Sequence, residues 1–145
     1  MWLDFWFWHG IKIKTDQLEK YPHFKEGEIF YAKIGRNIGY EQYGKGDQFI
    51  RPVLVVRKFN RRMFWGVPLT RTIREGLFFH TQVFIKDVLS TALLSQMRIL
   101  DAKRLVRKVG AVSENDLQII TEKIKNIFEK NSGETSSPAV TKDNL

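Results

Sequence analysis

The stretch 51-RPVLVVRKFN-60 decides how the rest of the chain is read. Its apolar and β-branched residues describe a strand, yet that strand opens on an arginine joined to a proline. The proline ring biases Arg51 toward extended backbone, and Pro52 suits a first strand position, where its missing N–H does least harm. A second apolar run, RMFWGVPLT, follows at once and ends on Thr70. If strands 52–58 and 63–69 pair through a turn at Phe59 to Arg62, opposed residue numbers sum to 121 and Arg51 faces Thr70. Directly opposed residues hold their Cβ atoms ~4.5–5.5 Å apart, so a guanidinium and a hydroxyl converge on one spot. The competing expectation is that Arg51 forms an ion pair with Glu41 or Asp47.

Outward from this hairpin, GEIFYAKIG (27–35) reads as another strand bounded by glycines. GLFFHTQVFIKDV, STALLSQMRIL and RLVRKVG are further short apolar runs, which together suggest a small barrel or sandwich-like sheet. The period changes in SENDLQIITEKIKNIFEK, where Leu117, Ile120, Ile124 and Ile127 to Phe128 share one helical face and Ser113 stands three residues before Asp116 as a cap. Trp2, Phe5, Trp6 and Ile13 are spaced for an amphipathic N-terminal helix packed on the body. The expected organisation is an N-terminal helical extension over 1–24, a β domain with its C-terminal helix over 25–130, and a disordered polar tail over 131–145.

Composition bounds the function. A chain of 145 residues with 43% hydrophobic and 13% aromatic residues is long enough for one well-cored domain. It contains no cysteine, which excludes disulfides and thiolate chemistry, and its histidines at 9, 23 and 80 do not form a zinc signature. No metal or other cofactor is therefore expected. The aromatic N-terminal run is interrupted by Asp4 and lacks a basic leader or the ~20 residues needed to span a bilayer, so a cytoplasmic protein is expected, with no membrane partner. A formal net charge of +8, with clusters such as RKFNRR, points to an anionic partner, nucleic acid first.

Two motifs invite over-reading. GYEQYGKG (39–46) approaches the phosphate-binding pattern G-x-x-x-x-G-K-[ST], but Gly46 stands at the hydroxyl position and the following DQFIRP does not start a helix. His80 has a side chain able to act as a base, though a lone histidine on an apolar strand is more often structural. The Arg51 and Thr70 pair is the stronger candidate. A forked, permanently charged donor beside a hydroxyl can stabilise extra negative charge on a phosphorus centre, while neither group is a good general base.

In this order, GEIFYAKIG, NIGYEQ, RPVLVVRKFN, VPLT and LLSQMRILDAKRLVRKVG, ahead of an amphipathic helix, resemble the PemK/MazF family of toxin endoribonucleases, over about Glu26 to Phe128. The resemblance implies a mainly β fold with helices, a small SH3-like barrel, and usually a homodimer. It implies metal-independent cleavage of single-stranded RNA by the adjacent 2′-hydroxyl, leaving a 2′,3′-cyclic phosphate, in a type II toxin–antitoxin system whose cognate antitoxin occupies the RNA site. By the same resemblance Arg51 and Thr70 are catalytic, and Glu41, Gln42, Gln96 and Arg98 bind or position RNA. Glu41 is the best remaining proton acceptor. Departures from the family pattern are the insertion YGKGDQFI, Tyr40 where some members carry a histidine, Arg71 after the threonine, and the N-terminal extension. The alternative from another class is a non-catalytic small barrel that binds nucleic acid or an antitoxin-like protein.

Overall fold

The structure, a computed structural model, describes residues 2–129. The tail expected at 131–145 lies outside them. At its centre is β2 (Ile50–Lys58), a strand buried on both faces. Val53 and Val55 enter one apolar cluster with Phe24, Phe30, Phe64, Leu100 and Leu105. Leu54 and Val56 enter a second with Ile29, Val67, Leu69 and Ile120. The run from Val53 to Val56 is continuously apolar because neither side of it meets water.

β1 (Glu28–Lys33) and β3 (Met63–Thr70) flank β2. The other strands are β4 (His80–Ile85), β5 (Val88–Leu93), β6 (Arg98–Asp101) and β7 (Leu105–Ala111), in the antiparallel order β4-β5-β3-β2-β1-β7 with β6 also on β3. The outer edge of β3 is divided: its first residues, Met63 to Gly66, pair with β6, and its last two, Leu69 and Thr70, pair with Ala92 and Thr91 of β5. One apolar run, STALLSQMRIL, serves both halves because a single 3₁₀ turn at Leu94–Gln96 breaks it into β5 and β6. The sheet curls until its ends approach, Ile85 Cγ2 of β4 standing 3.8 Å from where a Cβ on Gly110 of β7 would sit. The result is the small barrel expected from the strand pattern.

The β2–β3 hairpin keeps the expected register at its mouth, with Val53↔Pro68, Leu54↔Val67 and Val55↔Gly66. A bulge then shifts the far pairs to Arg57↔Trp65 and Lys58↔Phe64. Asn60 shapes the turn, its Oδ1 accepting from the N–H groups of Arg62 (2.7 Å) and Met63 (3.0 Å).

α2 (Glu114–Phe128) covers the second cluster with Leu117, Ile120, Ile124 and Ile127, while Phe128 turns outward. Its cap is the expected one, Ser113 Oγ accepting from Asp116 N at 3.1 Å. α1 (Trp2–Asp16) differs from expectation twice. It is 15 residues long rather than about 24, and residues 17–24 run irregularly to deliver Phe24 into the core, 5.1 Å from the Phe64 ring. The stripe Trp2, Phe5, Trp6 and Ile13 is exposed, and Trp8 is the buried aromatic. Aromatics surround this helix, so spacing alone could not choose its inner face. The choice is made by Gly35 (φ +90°), where any Cβ would overlap the Trp8 indole. Phe49, 5.9 Å away, and the Arg104 guanidinium, 5.6 Å above the ring, complete the seat. Lys103 Nζ caps the last turn by donating to Asp16 O at 2.8 Å.

Trp8→Ala is therefore expected to cost about 3 kcal/mol in urea unfolding, the scale of an emptied aromatic site. Trp2→Ala, at an exposed position, is expected to stay within ~0.5 kcal/mol of the parent.

Candidate functional site

Arg51 is the second residue of β2, and only 8% of its surface is exposed. Strand burial leaves its guanidinium facing backbone rather than water. Nε donates to Tyr43 O at 2.8 Å and Nη1 to Leu69 O at 3.3 Å. Neither Glu41 nor Asp47 pairs with it, which removes the ion-pair expectation. Burial pushes the Arg51 pKa below the ordinary arginine value; Tyr43 opposes the shift and the positive charge of Arg74 adds to it.

Thr70 closes β3, and extending the register beyond Val53↔Pro68 sets it level with Arg51. Its Oγ1 accepts from Thr72 N at 3.3 Å. Across the ladder Thr91 pins the same segment, its hydroxyl donating to Thr72 O (3.0 Å) and accepting from Arg74 N (3.1 Å). Arg51 and Thr70 line one cavity of about 700 Å³ together with Lys45, Arg71, Lys86 and Ser90. Four cations and no carboxylate face this space, so its potential favours an anion. The Ser90 hydroxyl, on a side chain 1% exposed, has no hydrogen-bond partner.

Glu41, Gln42, Gln96 and Arg98 line a separate cavity of about 410 Å³ with Asn37. Gln96 acts there as a clamp: its Nε2 donates to Tyr40 O (3.0 Å) and its Oε1 accepts from Gln42 N (3.1 Å). Asn37 Nδ2 adds bonds to Gln42 O (2.6 Å) and Ile34 O (3.1 Å). Glu41 Oε1 accepts from Ile38 N at 2.9 Å, which places the carboxylate on its own turn. Arg98 is exposed, and its charge helps lower the pKa of Arg104 after burial. The six residues thus fall into two groups, joined through the backbone where Gln42 precedes the carbonyl that holds Arg51.

The loop that resembles a phosphate-binding motif is a small hairpin instead. Lys45 and Ile50 exchange backbone bonds (2.8 and 3.1 Å), and Gly44 abuts the Phe49 backbone so closely that no Cβ fits. His80 lines neither cavity. Its Nδ1 is buried without a partner, and burial, then Arg74, lowers its pKa from the usual 6.5. Among the described residues no group of three or more His, Asp or Glu is placed to hold a metal ion, and no helix is long and apolar enough to cross a membrane. Sequence reasoning missed Lys45, Lys86 and Ser90, which come from a loop, a turn and a separate strand, and Tyr43, which contributes only a carbonyl. A backbone acceptor leaves no trace in residue type. The one available signal was Lys45, inside a loop set aside as a failed motif.

Residues 25–128 match the family described as PemK-like, MazF-like toxins of type II toxin–antitoxin systems. The chain belongs to this family. No curated protein matches the sequence. Among solved structures, the Mycobacterium tuberculosis toxin MazF-mt6 is 19% identical with a TM-score of 0.53, covering 70% of this chain and 95% of its own. MazF from Deinococcus radiodurans is 17% identical with a TM-score of 0.56, covering 76% and 98%. An endoribonuclease in complex with its cognate antitoxin, from a mycobacterial species, is 16% identical with a TM-score of 0.55, covering 75% and 98%. At these identities the likeness is one of fold: this PemK/MazF-like chain shares the toxins' curled sheet and carries α1 outside the matched residues.

Two expectations follow from the geometry. Gln96→Ala removes both clamp bonds, so amides of Tyr40 to Tyr43 are expected to exchange faster and stability to fall by ~1–2 kcal/mol. Because the folded pKa of His80 lies below its unfolded value, the unfolded chain binds the proton first. Stability contributed by neutral His80 is complete above about pH 6.5 and is lost as pH falls through the unfolded and then the folded pKa. Denaturation midpoints measured from pH 7.5 to 5 should therefore fall more for the parent than for His80→Asn.

Proposed function

We propose that this PemK/MazF-like toxin is a metal-independent endoribonuclease acting on single-stranded RNA. The observation that carries the proposal is the cavity in which Arg51 and Thr70 meet beside three further cations and no carboxylate. The scissile phosphate lies there, and the adjacent ribose 2′-oxygen bonds to phosphorus as the bond to the 5′-oxygen breaks, leaving a 2′,3′-cyclic phosphate and a 5′-hydroxyl. Arg51 donates its fork to the phosphoryl oxygens, and Thr70 adds a hydroxyl beside it. Held by the Tyr43 and Leu69 carbonyls, the Arg51 charge stays in place and stabilises the departing oxygen as negative charge builds on it. The 2′ proton passes to water, while Glu41, Gln42 and Arg98 hold the neighbouring nucleotides across the second cavity, on the loop that Gln96 positions. The toxin works as a homodimer, and a cognate antitoxin covers the same cavities; one fold relative is an endoribonuclease bound to its antitoxin.

Full-length protein incubated with long single-stranded RNA in EDTA is expected to release fragments ending in cyclic phosphate. Arg51→Ala should slow cleavage by about 10²–10³, the scale of losing one oxyanion donor. Arg51→Lys should not restore it, because a point charge lacks the fork. Cleavage at the same rate by the parent and Arg51→Ala removes Arg51 from the mechanism.

A further inference from the structure

We propose that the groove between α1 and the loop 43–49 is a second subsite for single-stranded RNA, one that takes bases and phosphates flanking the cut. The inference rests on the nuclease reading and adds to it a binding surface of which one wall, α1, lies outside residues 25–128.

The groove is large, about 980 Å³, and is lined by Trp6 and Phe7 of α1 facing Tyr43 and Lys45 of the loop. Trp6 and Phe7 are 67% and 66% exposed, although Trp8 beside them already anchors the helix. Folding therefore does not account for two large aromatics held in water. Lys14, Arg36 and Lys45 also face the groove and outnumber its carboxylates, Asp4 and Asp47. Arg36 lies between the Phe5 ring (5.7 Å) and the Tyr43 ring (4.6 Å), and its Nε is unpaired. Aromatic faces interleaved with cations are the means by which proteins hold single strands without reading their sequence: bases stack and phosphates meet charge.

Continuity selects RNA over other occupants. Lys45 and Gly46 line this groove and also the Arg51 and Thr70 cavity, so a strand leaving the scissile phosphate passes directly from one to the other. The hairpin closed by Lys45 and Ile50 forms the wall between them. Seen this way, the inserted loop and the added helix build a single structure, a rail for the RNA strand beyond the reacting phosphate.

The test uses fluorescein-labelled oligoribonucleotides of about 4 and about 16 nucleotides, the span of single-strand sites. Binding is followed by anisotropy in the full-length Arg51→Ala background, within a time short against its slowed cleavage. The longer RNA is expected to bind more tightly than the short one. Trp6→Ala with Phe7→Ala should weaken the longer RNA by about tenfold or more and leave the short one unchanged. Lys14→Gln should reduce the salt slope for the longer RNA by about 0.7. Thermal midpoints equal to the parent's show that the variants fold, and Trp6→Gln alone replaces the double variant if it does not. Unchanged affinity for the longer RNA, while the parent chain cleaves RNA, overturns the groove and leaves the nuclease reading intact. Loss of binding to phosphatidylglycerol-containing vesicles, with RNA affinity intact, assigns the aromatics to lipid and also overturns it. A parent chain that neither binds nor cleaves RNA overturns both readings.

Discussion

Burial of β2 on both faces is the constraint from which the rest of the molecule follows. With Val53 and Val55 in one apolar cluster and Leu54 and Val56 in the other, the strand has no solvated side, and a charge at its entry has little access to water. Arg51 stands at that entry and is stabilised by carbonyls from two directions, Tyr43 and Leu69. An unpaired buried guanidinium would be strongly destabilising, so the loop that carries Tyr43 has to be well ordered. That requirement accounts for Asn37 and Gln96, whose side chains spend their hydrogen bonds on backbone between Ile34 and Gln42.

The same arrangement gives the site its electrostatic character. An arginine neutralised by a carboxylate would have little field left for a ligand, whereas one held by neutral dipoles keeps its charge available. Lys45, Arg71 and Lys86, all exposed, add to it from the rim, so their fields sum over the same space. Such a site accepts an anion readily.

Legibility in the sequence followed the range of the interaction. The β2–β3 register could be read because a hairpin needs only two apolar runs and a turn length, and from it came the pairing of Arg51 with Thr70. The α2 cap was equally local. The inner face of α1 was not readable, because Trp2, Phe5, Trp6 and Trp8 offer too many apolar choices and the decision belongs to Gly35, a residue from another part of the chain. The division of STALLSQMRIL into two strands was hidden for a similar reason: Ser95 and Gln96 fit the polar side of one long strand as well as a turn, and only the split edge of β3 requires the break. Lys45, Lys86 and Ser90 join the Arg51 cavity from separate segments, so no spacing in the sequence connects them.

The bulge in the β2–β3 hairpin has a bearing on how its two ends are set. Because the extra residue is absorbed between Val55 and Arg57, irregularity at the turn end does not propagate to Val53↔Pro68 or beyond it. The tip at 59–62 and the mouth at Arg51 therefore keep separate registers, as in a zip fastener with one skipped tooth. Lengthening of that tip is limited instead by Arg62, whose O accepts from Ala102 N at 2.6 Å. The central hairpin thus has its working end set by register and its tip set by contact with the segment after β6.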